Sequence, residues 1–121
     1  MEKRIKNFKQ LNVWRDGHLL VLAVYQQTNS LPTEEKFGLI SQMRRSAVSI
    51  PANIAEGFKR NGIKDKLRFY NIAQSSLEEL RYYFVLCKDL NYKGQYISLE
   101  ENAEQVAKML AGLIKSLTIH K

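Results

Sequence analysis

The side chains with the clearest chemical potential in this sequence are basic, and they are unevenly distributed. Residues 1–15 carry five Lys or Arg against one acidic residue, and residues 44–68 carry seven against two. Residues 16–43 and 69–121 carry no basic excess. Clustered basic side chains contact the phosphates of RNA or DNA, where charge and reach matter more than spacing. The pattern predicts a polyanion partner, such as nucleic acid or an acidic protein surface, and a solvated basic face remains the alternative.

Two groups of basic residues form the candidate nucleic-acid site, one in an N-terminal arm and one across a turn between two helices. The members are Lys3, Arg4, Lys6, Lys9, Lys59, Arg60, Lys64, Lys66 and Arg68. Phe58, Phe69 and Tyr70 adjoin the second group and are candidates to stack on unpaired bases. The alternative is that these aromatic side chains belong to the core, because they lie at helical spacing.

Residue types that perform catalysis or bind metals do not converge in the sequence. His18 and His120 lie near opposite ends, and no spacing of His or Cys resembles a metal site. The neighbouring acids of residues 34–35, 78–79 and 100–101 point about 100° apart on a helix. No Walker loop or dinucleotide fingerprint is present. We therefore expect a non-enzymatic protein without cofactor, metal or small-molecule substrate.

The chain has 121 residues, of which 45% are hydrophobic. This size predicts a single domain over residues 1–121, with residues 1–11 as a mobile basic arm. Cys87 has no partner for an internal disulfide, which favours a reducing compartment. The basic N-terminus is not followed by the apolar segment of a signal peptide, and the longest apolar run, residues 19–25, is too short to span a bilayer. We expect a cytoplasmic protein without a membrane partner.

Apolar residues recur at intervals of three and four, which predicts an all-α fold. The expected helices cover residues 13–28, 33–58 and 63–90, and a fourth starts near residue 98, with Asn12, Thr33 and Ser98 as N-caps. The third and fourth helices carry heptad seams: Tyr70, Ala73, Leu77, Leu80, Phe84, Cys87 and the polar Asn91, then Leu99, Ala103, Val106, Leu110, Leu113 and Leu117. Short connections favour an antiparallel up-down-up-down four-helix bundle.

The second helix has an unusual composition. Its predicted apolar stripe consists of Phe37, Ile40, Ala47, Val48, Ile54, Ala55 and Phe58. It also contains Pro51, which removes the hydrogen bond to the Ala47 carbonyl at a cost of about 3 kcal/mol in an ordinary helix interior. One explanation is simply a kinked helix in a bundle, and two others give the proline a role. The helix bends around a core, with short side chains that admit a neighbouring helix, or the freed carbonyl accepts a hydrogen bond from an arginine or a neighbouring chain.

The run QMRRSAVSIPANIAEG, residues 42–57, closely resembles the central motif of the four helix bundle protein family, also called the 23S rRNA intervening-sequence protein family. The resemblance extends along nearly the whole chain, through FKQLNVW at residues 8–14, EKFGL at 35–39, FYNIA at 69–73 and SSLEEL at 75–80. The chain departs from the family pattern at residues 16–18 and 74–77. The length of the motif makes the resemblance specific.

The resemblance implies a four-helix bundle protomer that assembles into a homopentameric ring. It also implies structural roles for the motif residues Arg44, Arg45, Ser49, Pro51, Asn53, Glu56 and Gly57. For the two arginines, this work includes an ion pair with Glu56 or with one of the acids of residues 78–79, and phosphate binding is the alternative. A related branch looks like the accessory variability proteins of diversity-generating retroelements, whose basic pentamers bind a reverse transcriptase and nucleic acid.

Two functions follow from charge and resemblance together. The first is a homo-oligomeric bundle that binds RNA or DNA through the arm and residues 58–68. The second is a protein-interaction scaffold that docks a partner such as a reverse transcriptase without binding nucleic acid directly. The salt dependence of binding distinguishes the two functions. Binding through phosphate contacts weakens steeply as the salt concentration rises, and binding through an apolar docking surface does not.

Overall fold

The computed structural model describes residues 4–119, and this part of the chain is all-α, with four helices and no strand. The helices are α1 (Asn12–Thr28), α2 (Leu39–Lys59), α3 (Ile63–Asp89) and α4 (Tyr96–Ile119). Two 3-10 turns, Phe8–Gln10 and Thr33–Glu35, precede α1 and α2. Within residues 4–119, no helix combines the length and the hydropathy needed to cross a membrane.

One hydrophobic core receives side chains from all four helices. Six of the seven residues predicted for the α3 seam are buried, and so are Leu99, Ala103, Val106 and Leu110 of α4. The seventh, Asn91, is exposed and lies beyond the end of α3. Leu113 and Leu117 continue the α4 seam but are only half-buried. The heptad spacing therefore identified the core faces of α3 and α4 correctly.

Helix α2 packs most extensively on α3, where small side chains allow close approach. Ser76 Oγ donates to Ser49 Oγ at 2.8 Å. Further along, the sulfur atoms of Met43 and Cys87 lie 3.6 Å apart. Helix α1 contacts both α2 and α4, and α4 also contacts α3, so every helix is covered by two others.

The start of α2 corrects the prediction from sequence. The helix begins at Leu39 rather than at Thr33, because residues 33–35 form a 3-10 turn followed by an irregular turn. The side chain of Glu35 provides a hydrogen-bond acceptor for the first turn of α2, since its Oε1 accepts a hydrogen bond from the Leu39 nitrogen at 3.2 Å. Thr33 Oγ1 donates to Glu34 instead of capping the helix.

The apolar stripe predicted for α2 is also partly wrong. Phe37 lies outside the helix and is 87% exposed, and Val48 is exposed as well. The apolar face that α2 packs against α1 and α3 consists of Leu39, Met43, Ala47, Ile50 and Ile54. Pro51 and Gly57 are buried beside this face.

Two further helix starts differ from the prediction. Asn12 is the first residue of α1 rather than its cap, and Leu11 occupies the N-cap position without a side-chain hydrogen bond. Helix α4 begins at Tyr96, two residues before Ser98, because the Leu99 nitrogen donates to the Gln95 carbonyl at 2.9 Å and closes the first turn there. Helix α3 ends at Asp89, and Asn91 then adopts a positive φ of 62°.

Gly17, in the interior of α1, offers a stabilising substitution. A Cβ placed there meets Ile50, Pro51 and Ile54 of α2 at 3.6–3.9 Å, which is ordinary van der Waals contact. Alanine also reduces the entropic cost of ordering the helix. We expect Gly17→Ala to raise the free energy of unfolding by about 0.5–1 kcal/mol, measured by urea denaturation at fixed protein concentration. A decrease would contradict the packing described here.

Candidate nucleic-acid interface

Residues 58–68, called the α2–α3 connection here, comprise the end of α2, the loop and the start of α3. They include five of the candidate basic residues, whose environments differ. Lys59, in the last turn of α2, and Lys64, in the first turn of α3, are both exposed. Neither lysine forms a salt bridge with another residue of the described part of the chain. These two ammonium groups are therefore free to contact an external anion.

The two arginines of this connection are held by acidic and aromatic neighbours. Arg60 pairs with Glu56 at 3.1 Å, and Arg68 pairs with Asp65 at 3.2 Å. The Phe69 ring lies under both guanidinium groups, at 4.6 Å from that of Arg60 and 4.4 Å from that of Arg68. Such pairs at half-exposed positions contribute little stability but fix the direction of the side chains.

Lys66 has a structural role that its sequence position does not reveal. Its Nζ donates to the Phe58 carbonyl oxygen at 2.7 Å and to the Gly57 carbonyl oxygen at 3.2 Å. The side chain thus satisfies two carbonyl groups at the end of α2, where a positive charge also favours the helix dipole. Burial lowers the pKa of the Lys66 ammonium from its ordinary value. Lys66 is a capping residue of α2.

Lys66→Met tests this capping role. We expect the variant to lower the free energy of unfolding by about 1 kcal/mol, because two carbonyl groups lose a charged donor. Lys64→Met, which removes an exposed ammonium two residues away, is the matched control and should leave stability nearly unchanged. Urea denaturation measures both. Equal stabilities of the two variants would show that Lys66 does not cap α2.

Part of the predicted N-terminal arm forms a turn with its own hydrogen bonds. Residues 7–11 form a capped turn, in which the Asn7 side chain accepts from the Lys9 nitrogen at 2.9 Å and the Gln10 side chain accepts from the Lys6 and Asn7 nitrogens. This turn contacts α1 and α2. Residues 7–11 of the predicted arm therefore have a defined local structure, and the mobility of the arm stays a prediction.

The basic side chains of the N-terminal turn point into solvent. Arg4, Lys6 and Lys9 are exposed, and Lys3 lies outside the described residues. The turn is anchored by aromatic contacts, since the Phe8 and Trp14 rings meet edge to face at 5.0 Å and Trp14 stacks on His18 at 5.2 Å. Trp14 therefore acts as an internal anchor of this turn.

The aromatic residues of the α2–α3 connection are engaged inside the protein. Tyr70 is 2% exposed and belongs to the core. The Phe58 ring lies 5.5 Å below the Lys66 ammonium, and the Phe69 ring is covered by two guanidinium groups. The suggestion that Tyr70 stacks on bases is wrong, and the contacts of Phe58 and Phe69 favour the positioning of cations. The arrangement suits phosphate contacts better than base stacking.

Arg44 of the central motif forms a bridge between α2 and α1. Its Nε donates to Thr28 Oγ1 at 2.9 Å, and its Nη2 donates to Asn29 Oδ1 at 3.0 Å. The guanidinium also lies 4.6 Å above the Tyr25 ring. The expected ion pair of Arg44 with Glu56 is wrong, because Glu56 pairs with Arg60.

The acids of residues 78–79 have partners other than Arg44 and Arg45. Glu78 pairs with Arg81, and Glu79 accepts a hydrogen bond from the Tyr83 hydroxyl at 2.6 Å. This hydrogen bond raises the pKa of Tyr83 to about 12. The expected ion pair with either acid is therefore wrong as well. Arg45 is exposed.

The segment around Pro51 contacts both neighbouring helices of α2. Pro51 lies buried against α1 at Gly17. The Asn53 Nδ2 donates to the Ser49 carbonyl at 2.7 Å and to the Ser49 hydroxyl at 2.9 Å, and that hydroxyl meets α3 through Ser76. These contacts show that short side chains admit the neighbouring helices, and the bend of α2 at Pro51 stays a prediction. Arg44 donates to Thr28 at the end of α1 and to Asn29 directly after it, rather than to the Ala47 carbonyl.

Sequence reasoning missed an ion cluster between α3 and α4. Arg81 contacts Glu78 at 3.0 Å, Glu100 at 2.8 Å and Glu104 at 2.9 Å. Burial alone would lower the pKa of Arg81, but the hydrogen bond of Glu100 and the three carboxylate charges raise it. The available signal was the position of Arg81 directly after Leu80 of the α3 seam, which places the guanidinium beside the neighbouring helix.

Across residues 4–119, no three His, Cys, Asp or Glu side chains are grouped so that they could hold a metal ion. His18 stacks on Trp14, and His120 lies outside the described residues. Cys87 is a free, buried thiol, and burial raises its pKa.

The fold and the basic surface together define a small four-helix protein with a candidate phosphate-binding region. The model of the 23S rRNA-intervening sequence protein family matches residues 9–112, and the chain belongs to this family. The resemblance seen in the motifs is thereby confirmed.

A solved structure supports the same assignment. The chain is similar to a protein of unknown function from the S23 ribosomal protein family of Bacteroides thetaiotaomicron VPI-5482. The TM-score is 0.78 at 26% sequence identity, and the alignment covers 85% of this chain and 95% of that chain. No curated protein matches the chain significantly.

Proposed function

We propose that this protein is a cytoplasmic, non-enzymatic, homo-oligomeric helical bundle that binds RNA or DNA through phosphate contacts. The observation that carries the proposal is the group of exposed lysines beside fixed arginines at the α2–α3 connection. Lys59 and Lys64 have no acidic partner in the described chain, and Arg60 and Arg68 are oriented on Phe69. A surface of this kind binds a phosphate backbone without reading its sequence.

We infer an up-down-up-down topology, which brings the two basic groups together. Along α2, Met43 contacts Cys87, Ser49 contacts Ser76 and Gly57 faces Tyr70, so the end of α2 lies beside the start of α3. Similarly, Arg44 near the start of α2 contacts the end of α1. With this topology, the N-terminal turn and the α2–α3 connection share one end of the bundle.

The family name is consistent with a nucleic-acid partner but does not define one. It refers to an intervening sequence of 23S rRNA, and the similar structure belongs to a family named after a ribosomal protein. The positive charge of the chain, +7, points in the same direction.

We further propose that the protomers form a homopentameric ring. Each basic end is then repeated around one axis, which raises the avidity for a long polyanion without a new type of contact. Light scattering should give a mass near five times 14.1 kDa. A monomer at micromolar concentration would contradict the ring.

The binding proposal is tested by fluorescence anisotropy with a structured RNA, a single-stranded RNA and a duplex DNA. We expect binding that weakens log-linearly between about 50 and 200 mM salt, as several phosphate contacts require. An absence of binding at the lower salt concentration would contradict the proposal and favour a scaffold that docks a protein partner, such as a reverse transcriptase.

A further inference from the structure

A groove between α3 and α4 exposes apolar side chains that the fold does not cover. It has a volume of about 560 Å³, and its floor contains the buried rings of Phe84 and Tyr96. On its walls, Tyr82 is 58% exposed, Val85 55% and Ile97 72%. Exposed apolar groups that are contiguous in this way are typical of interaction surfaces.

The charge of the groove is predominantly negative. Glu78, Glu100 and Glu101 line it, and the Arg81 guanidinium at its edge is already bonded to Glu78, Glu100 and Glu104. Lys88 adds one positive charge. The groove therefore presents apolar walls within an acidic rim.

The outer surface of α2 has the complementary character. Tyr25 of α1 and Val48 of α2 are exposed there, beside the small side chains of Ser41 and Ala52. Arg44 donates its hydrogen bonds to Thr28 and Asn29, which are neutral, and Arg45 is exposed on the same surface. No carboxylate lies within salt-bridge distance of either guanidinium in residues 4–119. This surface is apolar with uncompensated positive charge.

The geometry points to a contact in which the outer surface of α2 from one copy docks into the α3–α4 groove of the next copy. The inference rests on the homo-oligomeric assembly proposed above and assigns its interface. An apolar helix surface entering an apolar groove buries area on both copies, and the arginines of one copy face the acidic rim of the other. The short side chains of Ser41 and Ala52 allow the helix to approach closely.

The same charges disfavour a symmetric contact. Two grooves facing each other would bring acidic rims together, and two α2 surfaces would bring four arginines together. The contact is therefore heterologous, so each copy contacts one neighbour through its α2 surface and the other neighbour through its α3–α4 groove. A heterologous contact closes only by forming a ring.

Sedimentation velocity over a range of concentrations tests the interface with exposed positions, where substitution leaves the core intact. We expect Ile97→Ser and Arg45→Glu each to raise the concentration of half-assembly at least tenfold. Glu101→Lys should do the same, and the double variant Arg45→Glu/Glu101→Lys should recover most of the lost assembly. Lys93→Glu has the same charge reversal at an exposed loop and should assemble like the wild type.

The outcomes separate this inference from the proposal on which it rests. A monomeric wild-type protein would overturn both. An oligomeric wild type that is unaffected by Ile97→Ser and Arg45→Glu would overturn only the assigned interface. A wild type that stops at a dimer would overturn the heterologous contact, because two copies joined in this way leave one surface of each unpaired.

Discussion

The variant Lys59→Gln/Lys64→Gln is expected to bind nucleic acid more weakly than the wild type at all salt concentrations. It should also lower the slope of log affinity against log salt by about 2 for each protomer in contact, because each lost phosphate contact releases one counterion fewer. Both lysines are exposed and lack acidic partners in the described chain, so their removal leaves the fold unchanged. Anisotropy titrations from about 50 to 200 mM salt measure the slope.

The matched control for this prediction is Lys36→Gln/Lys93→Gln. It removes the same charge from two exposed residues that precede α2 and α4, at the other end of the inferred bundle. Its salt slope should equal that of the wild type. If both double variants lowered the slope equally, binding would follow net charge alone, and the assignment to the α2–α3 connection would be wrong.

Gly57→Ala is expected to destabilise the protein by about 2 kcal/mol, because the added methyl group overpacks the core. A Cβ at residue 57 would lie 2.5 Å and 2.8 Å from two ring atoms of Tyr70. The ring is 2% exposed and packed in the core, so it has no room to move away. Urea denaturation at fixed protein concentration measures the loss.

Gly112→Ala provides the control, because it makes the same change in helix α4 where nothing lies within 4 Å of the new Cβ. It should raise the free energy of unfolding by about 0.5–1 kcal/mol through helix propensity alone. A Gly57→Ala variant as stable as Gly112→Ala would show that the Tyr70 ring moves aside to accommodate the new methyl group. The close approach of α2 and α3 would then not depend on glycine.

The helices themselves were predictable from the apolar period, but the start of α2 was not. The seams of α3 and α4 are long and regular, so the periodicity identified their core faces. The start of α2 was misplaced because Thr33 followed by two acids resembles a helix cap, although Glu35 caps the helix four residues later. A local motif fixes a cap only when the chain after it continues as a helix.

The basic region around the α2–α3 connection was predictable from the sequence. The sequence could not show which of its lysines are exposed and which have a structural role. Lys59, Lys64 and Lys66 are all lysines, and they lie close together in the sequence around the α2–α3 connection. Only the structure shows that Lys66 caps α2 while the other two are exposed. This distinction depends on the direction of each side chain after the helices pack, which periodicity does not encode.

The central motif illustrates the same limit. The resemblance implied structural work for Arg44, and the structure assigns that work to contacts with Thr28, Asn29 and Tyr25. The sequence offered acidic partners because ion pairs are the usual expectation for arginine. The neutral partners lie 15 to 19 residues away on another helix and its end, beyond the reach of local spacing arguments.

Lysine footprinting by reductive methylation and mass spectrometry, with and without saturating RNA, is the most direct test of the central claim that one basic end binds nucleic acid. The account predicts that RNA protects Lys6, Lys9, Lys59 and Lys64 from methylation. Lys36 and Lys93 should be modified equally in both samples. Equal modification of all six lysines with and without RNA, or protection confined to Lys36 and Lys93, would contradict the account.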